Sequence, residues 1–264
     1  IYERLCEERG YTGSARSVRK IVAALNQKHK EVFIPLAQPK SQSQVDFFEA
    51  DIYLRNELTR VYVFVMSLSY SDAVFAMAFP FQKREAWLEG HKQAYIFFGG
   101  VPKSSLYDND RSLVAKILSG HTRKVTEEFK RLQAFYSFEE HFCNAYSGHE
   151  KGIVENANKY IEGHFFTPYP RVNDFRELNI KLATWCRKYL ATTAKGKTAT
   201  RGELLADEQP MFLELPTGEF EACIKGERSS DSMSLVNFDT VIYSVPDELA
   251  NRSGLIAKGF WDRV

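Results

Sequence analysis

The sequence predicts an α/β core in which helices pack on a mixed five-stranded sheet, preceded by a short helical segment and followed by a small β-rich segment. The first observation is a run of three strand-like segments joined by short polar turns, which is typical of an antiparallel meander. The second is the alternation of helical and strand-like periodicity that follows. The predicted elements are strands 45–54, 61–68 and 73–79, helix 83–98, strand 101–107, helix 126–136, strand 138–143 and helix 148–166.

The composition is that of an ordinary globular protein. Of the 264 residues, 44% are hydrophobic and 14% are aromatic, which is enough to bury a sizeable core. No apolar run approaches the roughly 18 residues of a membrane helix, and no signal-peptide pattern is present, so we expect a cytoplasmic protein with no membrane partner. The four cysteines are far apart, and we interpret them as free thiols in a reducing compartment. Because a helical pattern is already under way at Ile1, we expect the chain to be part of a longer protein.

The net charge is only +1, but two segments of the chain are strongly basic. Lys and Arg outnumber Asp and Glu seven to three in residues 1–30 and ten to four in residues 151–201, whereas residues 202–264 carry five basic and twelve acidic side chains. Basic blocks are typical of nucleic-acid binding, although a solvated helical surface explains them equally well on charge alone. Charge by itself therefore leaves both interpretations open.

Residues 1–30 predict the end of a helix-turn-helix DNA-binding domain. A helix over 1–9 is followed by a glycine-containing break and by Ser14, a suitable N-cap. The second helix has apolar side chains at helical spacing on one side and, on the other, Arg16, Arg19 and Lys20. Because the second helix of such a motif enters the major groove, these basic side chains are candidate DNA contacts. A generic helical pair is the alternative, and residues 31–43 read as a linker.

Asp46 is the first acidic side chain in an unusual setting. It lies in strand 45–54, in which both alternating sets of positions contain apolar side chains, so the strand should be central and covered on both faces. A carboxylate there is costly unless it is paired, hydrogen-bonded or bound to a metal ion. A structural ion pair is the simpler alternative.

A second acidic site follows strand 101–107. Asp108, Asn109 and Asp110 come directly after the end of this strand, and α/β sheets place ligands beyond the carboxyl ends of their strands. The alternative is a simple turn, since Asp-Asn pairs are common in turns. Asp110 could replace Asp108, although it lies two residues farther from the strand.

The third acidic site is Glu155, on the side of helix 148–166 that carries no apolar stripe. Gly152 shares that side one turn earlier. An interior glycine costs about 0.5–1 kcal/mol relative to alanine, so the missing side chain suggests room for an approaching partner, for which DNA and a metal ion are the candidates. Glu150 is the rival acid, since a carboxylate near a helix start can simply complement the helix dipole, and His149 beside it could cap the helix or contact phosphate.

The three acidic sites and the order of elements together resemble the ribonuclease-H-like fold of retroviral integrases and DDE transposases. The residues that carry the resemblance are Gln44-Val45-Asp46, Tyr107-Asp108-Asn109 and Gly148-His149-Glu150-Lys151-Gly152-Ile153-Val154-Glu155. In detail the chain is similar to the IstA-type transposases of bacterial insertion sequences, which combine helix-turn-helix modules, such a core and a small C-terminal β-barrel. The likeness spans nearly the whole chain, and its third motif is the most specific.

The resemblance implies a DNA transposase that cleaves the 3′ ends of an insertion sequence and joins them to target DNA. It implies two Mg²⁺ (or Mn²⁺) ions as cofactors, with Asp46, Asp108 and Glu155 as catalytic residues and metal ligands and with Asp46 shared by both ions. The DNA contacts implied for the third motif and its helix are His149, Lys151 and Lys159. For Lys159 an exposed ion pair with Glu155 is the alternative.

The resemblance also implies partners: element-end and target DNA, further copies of the chain as a homo-oligomer on paired ends, and an AAA+ ATPase helper protein. The location would be cytoplasmic and nucleoid-associated. Two alternatives remain, a catalytically silent DNA-binding regulator with the same fold and a nuclease without joining activity.

The remainder of the chain completes the predicted domain organisation. The core domain covers 44–170, and residues 171–201 predict a helix over 174–193 with a basic linker at 195–201. Residues 202–264 predict a small β-barrel with strand-like segments at 220–224, 235–238 and 241–245. Its acidic balance argues against a role in DNA binding alone, and a contact with another protomer or another protein stays open.

Overall fold

The computed structural model describes residues 2–28, 39–108, 110, 113–117, 123–143, 152–194 and 196–264. Contacts within the chain divide it into two units, Ile1–Ala37 and Gln38–Val264. Among the helices in the described ranges, none has both the length and the apolar character needed to cross a membrane.

The first unit contains two helices, α1 (Tyr2–Arg9) and α2 (Ala15–Lys28). Gly10 ends the first helix region with a φ of 61°, a conformation that glycine adopts without strain. The Ser14 hydroxyl accepts a hydrogen bond from the backbone N–H of Ser17 at 3.2 Å, as an N-cap does. The predicted helical pair and its cap are therefore confirmed, whereas its assignment as a helix-turn-helix stays a prediction.

The second unit is built on a mixed sheet. The strands within residues 42–172 are β1 (Gln42–Leu54), β2 (Glu57–Leu68), β3 (Val74–Phe79), β4 (Ser104–Tyr107), β5 (Val114–Ile117), β6 (Arg123–Val125), β7 (Glu139–Phe142) and β8 (Arg171–Val172). Of these, β5 and β6 form a hairpin that is separate from the mixed sheet. The first three strands form an antiparallel meander, β4 runs parallel to β1, and β7 runs parallel to β4, in the order β3-β2-β1-β4-β7. The predicted five-stranded mixed sheet is confirmed, with β8 as a short addition beside the end of β1.

Helices cover both faces of this sheet. Their bounds are α3 (Arg84–Phe98), α4 (Glu127–Tyr136), α5 (Gly152–His164), α6 (Phe175–Leu190) and α7 (Arg201–Glu208). Successive side chains of β2 point to opposite faces: Phe64 packs in one core cluster with Trp87 of α3, and Val63 packs in the other with Val154 of α5 and Leu178 of α6. The central strand β1 is thus covered on both faces, as the sequence predicts.

Two features between β4 and α4 differ from the sequence prediction. Strand β4 begins at Ser104 rather than at residue 101, because Pro102 has no backbone N–H to pair and Val101 instead bridges to Leu213. Residues 114–117 and 123–125, for which the sequence predicts no strand, form β5 and β6, which pair antiparallel. Antiparallel pairing of two such short strands depends on the partner strand, which local sequence pattern does not reveal.

Helix α7 covers residues 201–208, where the sequence predicts the end of the linker and the start of the barrel domain. It begins with a capping box, in which the Thr200 hydroxyl accepts from the Glu203 N–H and the Glu203 carboxylate accepts from the Thr200 N–H. Leu205 joins the core cluster that contains α3. Glu208 is fully buried and accepts a hydrogen bond from the backbone N–H of Ser41 at 3.2 Å. These contacts attach α7 to the sheet rather than to the strands that follow it.

Four strands follow α7: β9 (Ile224–Arg228), β10 (Leu235–Phe238), β11 (Val241–Ser244) and β12 (Leu255–Gly259). β10 and β11 form the predicted hairpin, with Asp239 and Thr240 at φ values of 47° and 66° in its two-residue turn. β9 starts at the end of the predicted segment 220–224, because Phe220 and Ala222 are buried in the core cluster of the sheet. β12, which was not predicted, pairs with β9. These are two separate two-stranded sheets, so a closed barrel stays a prediction.

Candidate metal and nucleic-acid site

The parallel register of β1 and β4 brings the first two predicted acids to the same level of the sheet. Gln42 lies opposite Ser104, Ser43 opposite Ser105 and Gln44 opposite Leu106, so the offset between the strands is constant. Continued by two residues, the same offset places Asp108 level with Asp46. Neighbouring strands are about 4.8 Å apart, so the two backbones lie within reach of a shared ligand.

Asp46 points to the face of the sheet that α5 covers. Two side chains of β1 with the same parity contact this helix: the Gln44 Oε1 accepts a hydrogen bond from the Val154 N–H at 3.2 Å, and the Asp46 Oδ2 accepts one from the Asn158 Nδ2 at 3.0 Å. Asp46 is half-buried, and of the three predicted ways of stabilising its carboxylate (an ion pair, a hydrogen bond or a metal ion) the structure shows the hydrogen bond. Asp108 follows Tyr107, whose side chain lies in the core cluster on the opposite face, so strand alternation directs Asp108 to the face of Asp46.

Glu155 lies on α5, the helix that covers the face of the sheet bearing Asp46. Val154, Ala157 and Ile161 bury one side of the helix in the core, and Glu155 is exposed beside them. Side chains three residues apart on a helix are neighbours, so Glu155 lies one turn before Asn158, which holds Asp46. Two strands and one helix thus carry the three predicted acids on the same face of the sheet.

The donor chemistry of these residues fits a hard divalent cation, since Mg²⁺ binds carboxylate oxygens and keeps several waters. The Asn158 Oδ1 is buried and has no hydrogen-bond partner among the described residues, which leaves a further oxygen donor beside Asp46. Within the described ranges, however, no three His, Cys, Asp or Glu side chains form a ready-made group for a metal ion. The carboxylates therefore lie on the same face of the sheet, but the described side chains do not form a complete set of ligands around a metal ion.

Asp110, the rival to Asp108, has a different environment. Its Oδ2 accepts a hydrogen bond from the Gln82 Nε2 at 2.7 Å, just before α3, and its carbonyl accepts from the Leu113 N–H at 3.1 Å. Asp108 is exposed and Asp110 is half-buried. Asp110 is therefore held by the segment that precedes α3, and the choice of Asp108 over Asp110 stays a prediction.

The surface beside Glu155 is open. A Cβ built on Gly152, the first residue of α5, would meet no protein atom within 4 Å, so packing against the described residues does not demand a glycine there. Lys159 is exposed, and in the part of the chain that the structure describes it forms no ion pair with Glu155. The alternative interpretation of Lys159 as the partner in a surface ion pair is not supported.

Parts of this chain resemble a known protein family and known transposases. Residues 37–147 match the integrase core domain family. The matched stretch includes the strands from β1 to β7 and is less than half of the chain. A transposase from Aminobacter aminovorans is 33% identical over 222 residues, which cover 83% of this chain and 44% of that protein. The transposase for the insertion sequence element IS21 of Pseudomonas aeruginosa is 27% identical over 250 residues, covering 92% of this chain and 63% of that protein. The predicted resemblance to insertion-sequence transposases is confirmed.

The chain spans about half the length of the curated relatives it matches. Among solved structures, the intasome of simian T-cell lymphotropic virus in complex with the PP2A regulatory subunit B56 gamma aligns over 82% of this chain and 80% of its own, with 16% identity and a TM-score of 0.49.

The remaining predicted site residues do not all fall within the described structure. Arg16, Arg19 and Lys20 are exposed on α2 in the first unit, in a position open to a ligand. His149 and Lys151, together with the rival acid Glu150, lie outside the described residues.

Sequence reasoning missed the side chains that hold the acids in place. Asn158 and Gln44 tie α5 to β1, and neither was singled out for this role. A signal was present, because Asn158 follows Glu155 by three residues and so shares its side of the helix. His91 of α3, which contacts Tyr107, was missed because a single histidine in an apolar helix has no distinctive local pattern.

Proposed function

We propose that this chain is the core of an IstA-type DDE transposase that cleaves the 3′ ends of an insertion sequence and joins them to target DNA. The observation that carries the proposal is the parallel pairing of β1 with β4, whose register, continued by two residues, would set Asp108 level with Asp46. The hydrogen bond from Asn158 to Asp46, which ties α5 to the same strand, supports it. The match of residues 37–147 to the integrase core domain family supports the reaction class.

Asp46, Asp108 and Glu155 would hold two Mg²⁺ or Mn²⁺ ions. Bound there, the ions would activate the attacking oxygen and stabilise the leaving oxygen of an in-line displacement at phosphorus. Asp46 is the shared ligand, because it lies between β4 with Asp108 and α5 with Glu155. Asn158 donates to the Asp46 Oδ2 and so holds the carboxylate toward the helix that carries Glu155.

DNA would be bound by surfaces in both units. Arg16, Arg19 and Lys20 on α2 suit the groove and phosphates of the element end, as in a helix-turn-helix. Lys159 is exposed on the same side of α5 as Gly152, where nothing in the described protein fills the space. His149 and Lys151 would extend this surface ahead of α5.

The assembly would be a homo-oligomer on paired DNA ends, working in the cytoplasm at the nucleoid with an AAA+ ATPase helper. In the proposed organisation residues 1–30 end a helix-turn-helix domain, 31–43 form a linker, and the ribonuclease-H-like core begins at 44. The strands after α7 would form a small β-barrel. Its acidic balance suits a protein contact rather than DNA binding alone.

The test is a cleavage and joining assay with the complete protein and labelled element ends. Asp46→Asn, Asp108→Asn and Glu155→Gln should each abolish both reactions in Mg²⁺ and in Mn²⁺, with thermal stability and end binding nearly unchanged, because each removes a metal ligand and no core hydrophobe. The matched control is Asp51→Asn, which removes an acid of the same strand whose Oδ1 accepts from the Arg60 Nε at 2.9 Å.

Each alternative has a distinct outcome in this assay. Cleavage without joining by the unaltered protein would identify a nuclease. End binding without either reaction would identify a silent regulator. Joining retained in Glu155→Gln but lost in Glu150→Gln would move the third ligand to Glu150.

A further inference from the structure

A buried histidine and a buried tyrosine are hydrogen-bonded to each other at the C-terminal end of β4. His91 of α3 is completely buried, its Nδ1 is 2.7 Å from the carbonyl oxygen of Trp87, and its Nε2 is 2.9 Å from the hydroxyl oxygen of Tyr107. Tyr107 is also completely buried and is the last residue of β4. The pair therefore links the middle of a helix to the residue that immediately precedes Asp108.

The hydrogen-bond partners settle the protonation state of His91. A carbonyl oxygen only accepts, so Nδ1 must carry the proton, and the lone pair of Nε2 then accepts from the Tyr107 O–H. Burial lowers the pKa of His91 to about 4, so the ring is neutral at physiological pH. The Tyr107 hydroxyl consequently has a fixed donor direction, toward α3.

Packing alone does not explain a histidine at this position. The ring lies among aromatic side chains, stacked on Phe138 at an interplanar angle of 12° and 5.1 Å from the ring centre of Phe64. A phenylalanine would suit such surroundings without the cost of burying two polar nitrogens, and replacing both members of a buried hydrogen-bonded pair by apolar groups is nearly neutral for stability. Stability alone therefore does not account for the pair.

The contribution concerns the peptide between Tyr107 and Asp108. The Tyr107 carbonyl accepts a hydrogen bond from the Cys143 N–H at 2.9 Å, so β7 holds the backbone on one side of the residue. His91 holds the side chain on the other side. With both constraints the direction in which the chain leaves β4 is set, and the next residue is Asp108.

We propose that His91 is a positioning residue for the candidate site: by holding the Tyr107 hydroxyl it fixes the exit of β4 and so presents Asp108 toward Asp46. The positioning itself is a property of the metal-free protein. Its consequence for cation affinity rests on the proposed function.

The experiment uses four variants of the complete protein: His91→Phe, Tyr107→Phe, the double variant His91→Phe/Tyr107→Phe, and Tyr136→Phe. Tyr136 is the control, because it is a buried tyrosine of the same core cluster that lies on α4 and not on β4. Two properties are measured besides the melting temperature: amide hydrogen exchange of the peptide that spans Tyr107 and Asp108 without metal, and the Mn²⁺ concentration that half-saturates end cleavage.

The single variants should speed exchange of this peptide at least about fivefold, a local opening rather than global unfolding. They should raise the half-saturating Mn²⁺ concentration at least about threefold, less than the roughly 10–100-fold lost when a partner in direct contact with a metal ligand is removed. The double variant is decisive. It should recover the melting temperature, because no buried polar group is left unpaired, but it should keep the fast exchange and the raised Mn²⁺ requirement.

A double variant that recovers all three properties would overturn the proposal, since His91 and Tyr107 would then be a structural pair only. Equal effects in Tyr136→Phe would overturn it as well. Failure of the proposed function looks different: the unaltered protein would show no Mn²⁺-dependent cleavage, while hydrogen exchange would still decide whether His91 positions the end of β4.

Discussion

The buried neutral state of His91 predicts how the stability of this protein depends on pH. The folded protein lowers the pKa of His91 to about 4 from an ordinary value of 6.5, because burial disfavours the charged ring. The unfolded chain therefore takes up a proton as the pH falls below 6.5, and the folded protein does not until the pH approaches 4. Folding is thus opposed increasingly as the pH is lowered through this window.

The magnitude follows from the two pKa values. One unit is worth about 1.4 kcal/mol, so the full effect below pH 4 is on the order of 3 kcal/mol, and the linkage relation gives about 2 kcal/mol between pH 7 and pH 5. Burial also raises the pKa values of Tyr95 and Tyr107, which face His91, so neither hydroxyl titrates in this range. Among these three buried side chains, only His91 changes its protonation between pH 7 and pH 5.

Urea unfolding at pH 7 and pH 5 measures this effect. His91→Phe should lose about 2 kcal/mol less than the unaltered protein between the two pH values, whatever its stability at pH 7, because phenylalanine binds no proton in the unfolded state. Acids elsewhere with raised pKa values, such as Asp72 and Glu208, are present in both proteins and cancel in the comparison. Tyr136→Phe, which keeps His91, should behave like the unaltered protein. The same pH dependence in His91→Phe would refute a neutral buried His91.

Three further substitutions test the proposed DNA surfaces. Gly152→Ala should leave the melting temperature nearly unchanged, since the added Cβ meets no protein atom within 4 Å at the first residue of α5, yet it should weaken binding of element ends. A lowered melting temperature with normal binding would show that the glycine serves the fold. Lys159→Ala should lower strand transfer at least about tenfold at constant stability, as expected when one hydrogen bond to a charged group is removed; a reduced melting temperature with normal strand transfer would make it structural. Replacing Arg16, Arg19 and Lys20 by alanine should reduce the salt dependence of end binding by about 0.9 in log–log slope for each phosphate that these side chains neutralise, and an unchanged slope would leave them as a solvated helix face.

The sequence alone determined the order of elements and much of their local detail. The helical pair with its Ser14 cap, the three-stranded meander and the hairpin with its turn at Asp239 and Thr240 are all confirmed. Each depends on neighbours within a few residues, because side-chain periodicity, caps and turn residues act locally. The central place of Asp46 could also be inferred, since a strand that is apolar on both faces must be covered on both.

Tertiary structure decided how distant parts of the chain meet. The level of Asp108 beside Asp46 depends on the register of two parallel strands with α3 between them in sequence, and no local pattern specifies a register. The docking of α5 through Asn158 and the attachment of α7 through Glu208 join residues more than a hundred positions apart. Such contacts form only when the whole core packs, because each buried polar group must find its partner there. The sequence therefore identifies the acids of the candidate site, and the packed fold decides which of them face one another.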